Sequence, residues 1–464
     1  MVRWHYATDH SSVNTHDVMM AYIDEDDDWP AIVVDIGSGH VKYGFAGDDE
    51  PKVIIPSAVG RYLDQSESKM SGYDDDDDDG PDALVVDNGT GVMQAGFAGD
   101  KTCRAVLPSR VGRYKKSYSG VRTGETFIGD AIYKRREALS LNYPIEHGIV
   151  RDWDDMEKIW HYLFDVDLRV DTAEHPVLMT EPPRNPMYNR QKMAQIMFET
   201  FQIPAFYVAN PALLSLYASG RVSGFVIETG AGVTQTLAVY EGYCMKEATH
   251  RTGLAGREMT NYLMRLLNKR GYSFSTSAER EIVREIKERC CYVAEDFERE
   301  MSTNQKRTEN YQLPDGQEIE LGKETFQCME AMFKPTMLNP DGGAKCAKST
   351  YRSGITDIAH CGLQRCDPDT RRTLYENVII TGGNSMHRGF GERVKRELVN
   401  RGVPRETLKV ICPPERRKSV WIGGSILASL SNYRGMWITK KDYQEYGPTV
   451  VYNNSFRIFD PEKG

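Results

Sequence analysis

The alternation of apolar and polar residues near position 83 predicts a β-hairpin. Four apolar residues run into Asp87, a Gly-Thr-Gly turn follows, and a second partly apolar run ends at Phe97. This pattern predicts a strand ending at Asp87, a tight turn at residues 88–91 and a return strand to Phe97. Gly89 and Gly91 let the backbone turn sharply and direct N–H groups into the turn, which is how phosphate oxygens are held. Asp87 would hold a hydrated cation beside them. Most turns of this kind are plain hairpins, so both interpretations stay open at this stage.

The same pattern occurs at two further places in the chain. Residues 31–48, AIVVDIGSGHVKYGFAGD, nearly repeat residues 83–100, ALVVDNGTGVMQAGFAGD, and the match continues from VIIPSAVGRY (53–62) to AVLPSRVGRY (105–114). Far downstream, FVIETGAGVTQTL (225–237) repeats the apolar run, the acid and the two spaced glycines. Two such hairpins facing one another would clamp a polyphosphate from both sides, so the recurrence favours phosphate binding over plain turns.

Each of the first two copies follows an acidic stretch, MAYIDEDDDW and MSGYDDDDDDG. Runs of like charge stay solvated, so an exposed tail is expected, with a docking patch for basic partners as the alternative. Only one copy can occupy the strand positions of a single sheet. The second copy is continuous with all that follows, and we therefore expect it in the core. The first copy would be an appendage, or the product of two alternative beginnings joined together.

Two later segments carry clear helical signals. Residues 152–164 place Met156, Ile159, Trp160 and Leu163 on one face, which predicts an amphipathic helix. Residues 278–298 predict a second helix, because Thr276 and Glu279 form a capping box. Its inward positions are expected at Ile282, Ile286, Val293 and Phe297. On this pattern alone, Arg284 and Glu288 are a surface pair four residues apart.

Near the end of the chain, NVIITGGNSM (377–386) indicates a buried strand that runs into two glycines. The following PPERRKSVWIGGSILASL (413–430) predicts a loop and then a closely packed helix.

Composition narrows the class of protein. The 464 residues are too many for one compact core, so two domains are expected. A hydrophobic fraction of 40% and a charged fraction of 27% are typical of a globular protein, and a net charge of −9 argues against general nucleic-acid binding. Nine cysteines without a CxxC pair favour a reducing compartment. We see no signal-peptide pattern and no apolar run of about 18 residues that would span a membrane.

Together these segments resemble actin. The motifs that carry the resemblance run in order from Met70 to about Tyr452: ALVVDNGTGVMQAGFAGD, YPIEHGIV, DWDDMEKIW, HPVLMTEPP, QIMFETF, LSLYASGR, GYSFSTSAEREIV, YVAEDFE, PDGQ, ITGGNSM, PPERRKSVWIGGSILASLS and GPTVVY. The nearest relatives would be conventional actin or a divergent actin-related protein. Sugar kinases and chaperone ATPases share the glycine turns but would not explain WDDMEKIW or PPERRKSVWIGGSILASLS.

The resemblance implies the actin fold, an α/β architecture in which two domains with duplicated ribonuclease-H-like cores flank a nucleotide cleft. The implied division is an N-terminal extension at 1–69, a smaller domain at 70–218 with 419–464 (its outer loop region at 109–143), and a larger domain at 219–418. The cleft would hold ATP or ADP with Mg²⁺ or Ca²⁺. Asp87 and Glu228 would hold the cation through water.

The resemblance also implies particular site residues. His147 matches a histidine that actins often carry methylated, although a lone histidine is more often structural. The implied nucleotide contacts, which include Arg284 and Glu288 despite their surface-pair pattern, are Asp87, Gly89, Thr90, Gly91, Gln94, Gly230, Gly232, Val233, Gly256, Arg284, Lys287, Glu288, Gly382, Gly383, Met386 and Arg417.

Several departures from the actin pattern concern catalysis. Gln94 stands where actins carry a phosphate-reaching lysine, which the first copy keeps as Lys42. Glu228 replaces an aspartate, and Ala231 and Gln235 replace a carboxylate and a histidine of the second turn. Pro211 replaces the glutamine that orients the attacking water, and proline can neither donate nor accept through its side chain. Hydrolysis in this family depends on positioning that water. We therefore expect a nucleotide holder with slow or absent turnover, the alternative being an active, filament-forming ATPase.

Partners and filament formation follow from the same resemblance. The loop 115–126 is about two residues shorter than its actin counterpart, residues 339–348 form a polar insertion, and RIFDPEKG extends the end. These changes put filaments in doubt. The groove formed by 217–220 and 426–437 looks intact, so actin, a second copy of the chain, or actin-binding proteins are expected partners. No nucleic acid or membrane is expected. A cytoplasmic, cytoskeletal location is expected, with a nuclear one left open.

Overall fold

The computed structural model describes residues 81–115, 125–135, 137–303, 308–338 and 351–452, together with the backbone of five strands within residues 3–56. The side chains of Asn432 and Arg434 are not part of this description. The chain divides into two compact units, one formed by 1–80 with 220–223 and the other by 81–219 with 224–464. Among these described residues, no helix is long and apolar enough to cross a membrane.

The first unit contains a five-stranded sheet in the order β1-β2-β3-β4-β5. Its strands are β1 (Arg3–Ala7), β2 (Asp17–Tyr22), β3 (Ile32–Ile36), β4 (His40–Phe45) and β5 (Val53–Pro56). All four pairings are antiparallel. Most of the two acidic stretches lies outside the described residues, so their predicted exposure stays a prediction.

The second unit contains the remaining strands. In chain order they are β6 (Leu84–Asp87), β7 (Val92–Phe97), β8 (Ala105–Pro108), β9 (Val111–Tyr114), β10 (Thr126–Phe127), β11 (Leu139–Asn142), β12 (Ile145–Glu146), β13 (Ile149–Val150), β14 (Val177–Thr180), β15 (Ala205–Ala209), β16 (Gly224–Thr229), β17 (Thr234–Tyr240), β18 (Tyr243–Thr252), β19 (Glu309–Gln312), β20 (Glu318–Leu321), β21 (Val378–Thr381), β22 (Val410–Ile411) and β23 (Ile438–Thr439).

The α-helices of the second unit lie between and after these strands. They are α1 (Asp130–Arg135), α2 (Trp153–His161), α3 (Met187–Gln195), α4 (Pro211–Ala218), α5 (Gly256–Lys269), α6 (Ser277–Cys290), α7 (Phe297–Ser302), α8 (Glu324–Glu330), α9 (Ile355–Arg365), α10 (Pro368–Glu376), α11 (Phe390–Asn400), α12 (Ser419–Ser429) and α13 (Lys440–Tyr446). Short π-helical turns continue α2 and α3 at Tyr162–Leu168 and Ile196–Thr200.

Two mixed sheets organise the second unit. One has six strands in the order β23-β15-β14-β6-β7-β8, and the other has five in the order β18-β17-β16-β21-β22. Each contains one of the predicted glycine hairpins, β6–β7 or β16–β17, and the turn of each hairpin follows a buried strand. A three-stranded sheet, β10-β9-β11, and two small hairpins complete the second unit. This α/β architecture has the mixed sheets expected for the actin fold.

The second copy of the repeated segment forms strands of the six-stranded sheet. Its pairing repeats that of the first copy residue for residue: Asp87 lies opposite Gln94 as Asp35 lies opposite Lys42. The two copies differ at Ala95, which is fully buried and aligns with Tyr43. A tyrosine in that closely packed position would overfill the core, which explains why the second copy is the one suited to it.

The two helical predictions have different outcomes. Helix α2 is confirmed, and Met156, Ile159, Trp160 and Leu163 are all fully buried. The helix predicted over 278–298 is wrong in its length, because α6 ends at Cys290 and a separate helix, α7, begins at Phe297. Between them the backbone is extended, with the N–H of Val293 donating to the carbonyl of Arg388 at 2.9 Å. This long-range hydrogen bond replaces the helical one.

The start of α6 and the packing of α12 agree with the sequence. The capping box of Thr276 and Glu279 is present at the N-terminus of α6. In α12, Gly423 lies so close to α4 that a Cβ atom would sit 1.8 Å from the carbonyl oxygen of Leu214. Only a glycine lets these two helices approach this closely, as the small-residue pattern of 413–430 predicts.

Candidate functional site

The two glycine hairpins line one cavity. This cavity has a volume of about 520 Å³, within the range of small-molecule sites. Its lining includes every residue predicted to contact a nucleotide, and also Pro211, Glu228 and Gln235. His147 is the exception among the predicted site residues, because it lines a neighbouring cavity of about 280 Å³.

The turns of the two hairpins are in close contact. A Cβ atom on Gly91 would lie 2.6 Å from the Cβ of Ala231, and one on Gly232 would lie 2.5 Å from Cγ2 of Thr90. Both distances are shorter than real Cβ contacts, so any side chain at these glycines would force the turns apart. The glycines therefore permit the close approach of the hairpins.

The turns also leave backbone donors without partners. Within the described part of the chain, the N–H groups of Thr90, Gly91, Gly232 and Val233 donate to no protein acceptor. The Oδ1 atom of the neighbouring Asn88 is buried and also lacks a hydrogen-bond partner. Unpaired polar groups are costly when water is excluded, and successive free N–H groups in a turn are characteristic of anion-binding sites. The arrangement fits a phosphate chain held between the turns.

Two carboxyl groups lie at the base of this cavity. Asp87 accepts a 2.8 Å hydrogen bond from the hydroxyl of Thr180, which in turn accepts from the N–H of Asn88 at 2.9 Å. Burial raises the pKa of Asp87 to about 6, against the opposing effect of the Thr180 hydroxyl. Burial also raises the pKa of Glu228 to about 8, and the nearby charge of Asp87 adds to this shift, although the hydrogen bond from Gln235 opposes it. Carboxyls with such raised pKa values favour either a proton or a cation between them.

The residues that stand at the predicted catalytic positions either use their side-chain polar groups in hydrogen bonds within the protein or have none. Gln235 donates its amide to Glu228. Gln94 donates to the carbonyl of Arg417 at 3.0 Å, and Cys103 lies 3.9 Å from its amide oxygen. Pro211 is the first residue of α4, where its missing N–H costs nothing. The preceding Asn210 does not substitute for the lost glutamine, because its side-chain oxygen caps α4.

The other end of the cavity contains the residues predicted to contact the nucleoside. Lys287 donates to the carbonyl of Gly256 at 2.7 Å, and burial lowers the pKa of its ammonium group. Arg284 bonds both Glu281 and Glu288, so the predicted pair of Arg284 and Glu288 exists alongside a second contact. Lys287 and Arg284 thus both have protein partners at this end of the cavity, a backbone carbonyl for Lys287 and two carboxylates for Arg284.

The residues directly after strand β21 also line this cavity. Gly382 has φ of +91°, and a Cβ atom there would lie 2.3 Å from the carbonyl oxygen of Thr229, so only glycine fits. Met386 is 40% exposed, which leaves an apolar side chain available to a planar ligand.

His147 makes contacts with the second hairpin from outside the main cavity. Its Nδ1 atom lies 3.0 Å from the carbonyl oxygen of Gly232, and its own carbonyl accepts from Arg251. The next residue, Gly148, donates its N–H to the hydroxyl of Thr90 at 2.9 Å. Together His147 and Gly148 thus contact both turns.

Several residues of the site escaped prediction from the sequence. Thr180, Ser109, Asn384 and Arg110 all take part, and Ser109 ties the first hairpin together by donating to the carbonyl of Gly89 at 2.6 Å. Short polar residues at the ends of strands were the available signal for Thr180 and Ser109. Arg110 had a stronger signal, because the aligned residue of the first copy is Ala58.

The second unit thus combines two mixed sheets with a cavity that both glycine turns line. The family model for actin matches residues 26–79 and again residues 78–456. The chain therefore belongs to the actin family, whose members are typically cytoskeletal and generally bind a nucleotide and a divalent cation. The two matches meet where the second copy of the repeated segment begins, so each copy is recognised as an actin segment in its own right.

Proposed function

We propose that this protein holds ATP or ADP with a divalent cation in the cavity between its two glycine hairpins and hydrolyses it slowly or not at all. The observation that carries the proposal is the facing pair of turns, with free N–H groups at Thr90, Gly91, Gly232 and Val233. Backbone donors of this kind bind phosphate without needing a lysine, so the glutamine at position 94 is compatible with binding.

The cation would be held between carboxyl groups and phosphate oxygens. Asp87 and Glu228 are the carboxyls of the cavity that fit this role, and no cluster of three or more metal-ligating side chains occurs among the described residues. Mg²⁺ commonly keeps several waters and binds through one or two carboxylates together with substrate phosphates. A cation in this site would thus depend on the nucleotide being present.

Weak hydrolysis follows from the groups that face the phosphate end. Pro211 supplies no hydrogen-bonding side chain, Ala231 has no carboxylate, and Gln235 is bound to Glu228. A positioned water-orienting or proton-transfer group typically contributes about 10²–10⁴-fold to a rate, and groups that act together do not contribute additively. The proposed role is that of a structural or adaptor subunit rather than an efficient ATPase.

The proposed partners are actin, a second copy of this chain, or proteins that bind actin. The surface in question runs along α4 and α12, where Ile426 and Leu430 are each 42% exposed. The loop 116–124, the insertion 339–348 and the extension 457–464 lie outside the described residues, so the effect on filaments stays a prediction. We also propose the domain division 1–69, 70–218 with 419–464, and 219–418, and a cytoskeletal setting in the cytoplasm.

The first prediction restores the missing catalytic groups. In the purified protein, bound ATP should be recovered by chromatography of a denatured sample, while phosphate release stays slow. The triple variant Pro211→Gln, Ala231→Asp, Gln235→His should release phosphate roughly 10²-fold faster, because it regains groups that orient water. Phosphate release is measured in single-turnover assays with Mg²⁺.

The single variant Ser219→Ala, outside the cavity, is the control and should leave the rate unchanged. Rapid phosphate release by the unmodified protein, with pelleting in a sedimentation assay, would contradict the proposal and favour an active, filament-forming ATPase. A purified protein that retains no nucleotide would contradict it as well.

A further inference from the structure

A buried ion pair lies in the lining of the proposed nucleotide cavity. Arg110, which follows β8 of the six-stranded sheet, forms an ion pair with Glu281 on α6. The two side chains are only 5% and 9% exposed, and both residues line the cavity. We refer to Arg110 and Glu281 as the cross-cleft pair. Ion pairs so completely removed from water are uncommon, and the geometry around this one shows how it is maintained.

Glu281 is the centre of a small network. Its carboxylate accepts from the hydroxyl of Tyr143 at 2.7 Å and from Nε of Arg284 at 2.8 Å, in addition to the contact with Arg110. Burial alone would raise the pKa of Glu281, but the charges of Arg110 and Arg284 and the Tyr143 hydroxyl outweigh it and hold this pKa at about 2. The carboxylate is therefore ionised at neutral pH, so it keeps the negative charge that attracts Arg110.

Loss of Glu281 would remove the acidic partner of Arg110, whereas loss of Arg110 would leave Glu281 with other partners. The guanidinium of Arg110 lies over the ring of Tyr133, 5.1 Å from its centre, and its Nε atom is buried without a hydrogen-bond partner. Glu281 is the acidic partner of Arg110 among the described residues, whereas Glu281 keeps Arg284 and Tyr143 if Arg110 is lost. Removing the carboxylate would leave a buried charge unpaired, which is the more costly change.

Each member of the pair is attached to one end of the proposed nucleotide site. Ser109, directly before Arg110, bonds the first glycine turn through the carbonyl of Gly89 at 2.6 Å and that of Gly91 at 3.2 Å. Glu281 lies on the same helix as Lys287 and Glu288, which line the nucleoside end. The cross-cleft pair thus joins the element that would hold the phosphates to the helix that would hold the nucleoside.

The comparison of the two copies of the repeated segment also singles out Arg110. The first copy, which lies in a separate sheet, has Ala58 at the position of Arg110 and Lys42 at the position of Gln94. The copy that lines the cavity therefore has no cation at position 94 and carries one at position 110 instead.

We propose that the cross-cleft pair is a clamp that holds the phosphate turn and the nucleoside helix together and so retards release of the bound nucleotide. This inference rests on the proposed function, since it assigns the pair a role in nucleotide retention. A ligand that contacts both elements and an ion pair that joins them stabilise one another, because each reduces the freedom that the other must remove. Release then requires the pair to separate.

The test is the rate at which nucleotide dissociates. The protein is loaded with Mg²⁺ and fluorescent ethenoadenosine triphosphate, and release is followed after an excess of unlabelled ATP is added. Arg110→Ala should release the nucleotide about tenfold faster or more, since tenfold corresponds to about 1.4 kcal/mol and losing one member of a buried pair costs more than that. Arg110→Lys keeps the positive charge but lacks the forked guanidinium group. Its release rate should lie between those of the unmodified protein and Arg110→Ala.

Two further variants distinguish a clamp from a general loss of stability. Arg104→Ala removes an exposed arginine from the same strand region, paired with Asp100 at 2.7 Å, and should leave the release rate unchanged. In a Glu281→Gln background, Arg110→Ala should have little additional effect, because the interaction is already lost. A change of less than about twofold in Arg110→Ala, with nucleotide still bound, would overturn the inference.

A second measurement separates this inference from the proposed function. If the unmodified protein binds no nucleotide, the proposed function fails, and the clamp is then tested in the nucleotide-free protein by amide hydrogen exchange. Arg110→Ala should speed exchange both in the first glycine turn and in α6, whereas Arg104→Ala should not. Equal exchange in the two variants would overturn the clamp by itself.

Discussion

At the scale of single residues, the chemistry of the cavity depends on the contacts of its two buried carboxyl groups, Asp87 and Glu228. Asp87 is held by Thr180 and Glu228 by Gln235, and both carboxyls have pKa values raised by burial. Neither carboxyl forms an ion pair among the described residues. A cation close to these carboxyls would lower their pKa values, and the uncharged Gln94 supplies none. The nucleotide-free protein should therefore hold these carboxyls partly protonated at neutral pH.

The raised pKa of Glu228 makes a prediction about stability and pH. Its pKa rises from 4.5 in a free chain to about 8 in the fold. Between these values the native state binds more protons than the unfolded state, so the free energy of unfolding falls as pH rises through this window. Because Glu228 is partly open to the cavity, we expect a loss of about 1–3 kcal/mol between pH 5 and 8. Urea unfolding of the protein, treated with chelator and free of nucleotide, measures this loss.

The matched control is Glu228→Gln, which has the same shape and no titration. Its stability should fall less between pH 5 and 8 than that of the unmodified protein. Identical pH dependence in the two proteins would show that Glu228 does not titrate as its surroundings indicate.

At the scale of elements, the glycines determine how closely neighbouring segments approach. The hairpin turns at Gly91 and Gly232 touch across the cavity, and α12 touches α4 at Gly423. In the turns the consequence is a narrow site with free backbone donors. In the helices the consequence is a tight junction between α4, which begins at Pro211, and α12, which follows Arg417. Pro211 and Arg417, which lie beside this junction in the chain, both line the cavity.

Replacing Gly423 by alanine tests this junction. Helix propensity by itself favours alanine by about 1 kcal/mol in a helix interior. A Cβ atom would, however, lie 1.8 Å from a backbone oxygen of α4, which cannot rotate away, so the clash should dominate. We expect a net loss of about 2–3 kcal/mol in the free energy of unfolding, measured in urea.

Gly435 provides the comparison, since a Cβ atom there meets nothing within 4 Å. Gly435→Ala should change stability by less than about 0.5 kcal/mol, as is usual for surface positions. A Gly423→Ala variant as stable as Gly435→Ala would mean that the two helices separate without cost.

At the scale of the whole molecule, the chain contains the first hairpin segment of the actin family twice. Both copies match the actin family model, and both form the same three-stranded antiparallel arrangement. The second copy shares a sheet with β14 and β15, which lie downstream in the chain. In the first copy, β3 pairs with β2, and β2 pairs with β1. Thus none of the strands described within the first 80 residues belongs to the six-stranded sheet that lines the cavity.

This arrangement predicts that the core does not require the first copy. A variant that begins at residue 70 should retain the thermal unfolding transition of the second unit and the nucleotide content of the full chain. Differential scanning calorimetry and chromatography of released nucleotide measure these two properties. If the truncated variant lost the thermal unfolding transition of the second unit, the six-stranded sheet would require the first copy, and the prediction would be wrong.

The variant Ala95→Tyr places the first copy's residue in the core and is the positive control for disruption. It should lose stability by about 1–3 kcal/mol, because an overfilled core displaces its neighbours.

The sequence by itself determined the features that depend on neighbouring residues: the hairpins, the capping box at Thr276, the buried face of α2 and the positions where only glycine fits. Spacing and backbone conformation act over a few residues, so a linear pattern is enough to predict them. The predicted site residues came from resemblance to actin, and all but His147 line one cavity.

Only the tertiary structure decided what depends on residues far apart in the chain. Gln94 bonds Arg417, 323 positions away, Val293 leaves the helical path to bond Arg388, and Arg110 meets Glu281 in the lining of the cavity. No local pattern encodes these contacts, because each is made by a group that folding brings near and whose burial then requires a partner.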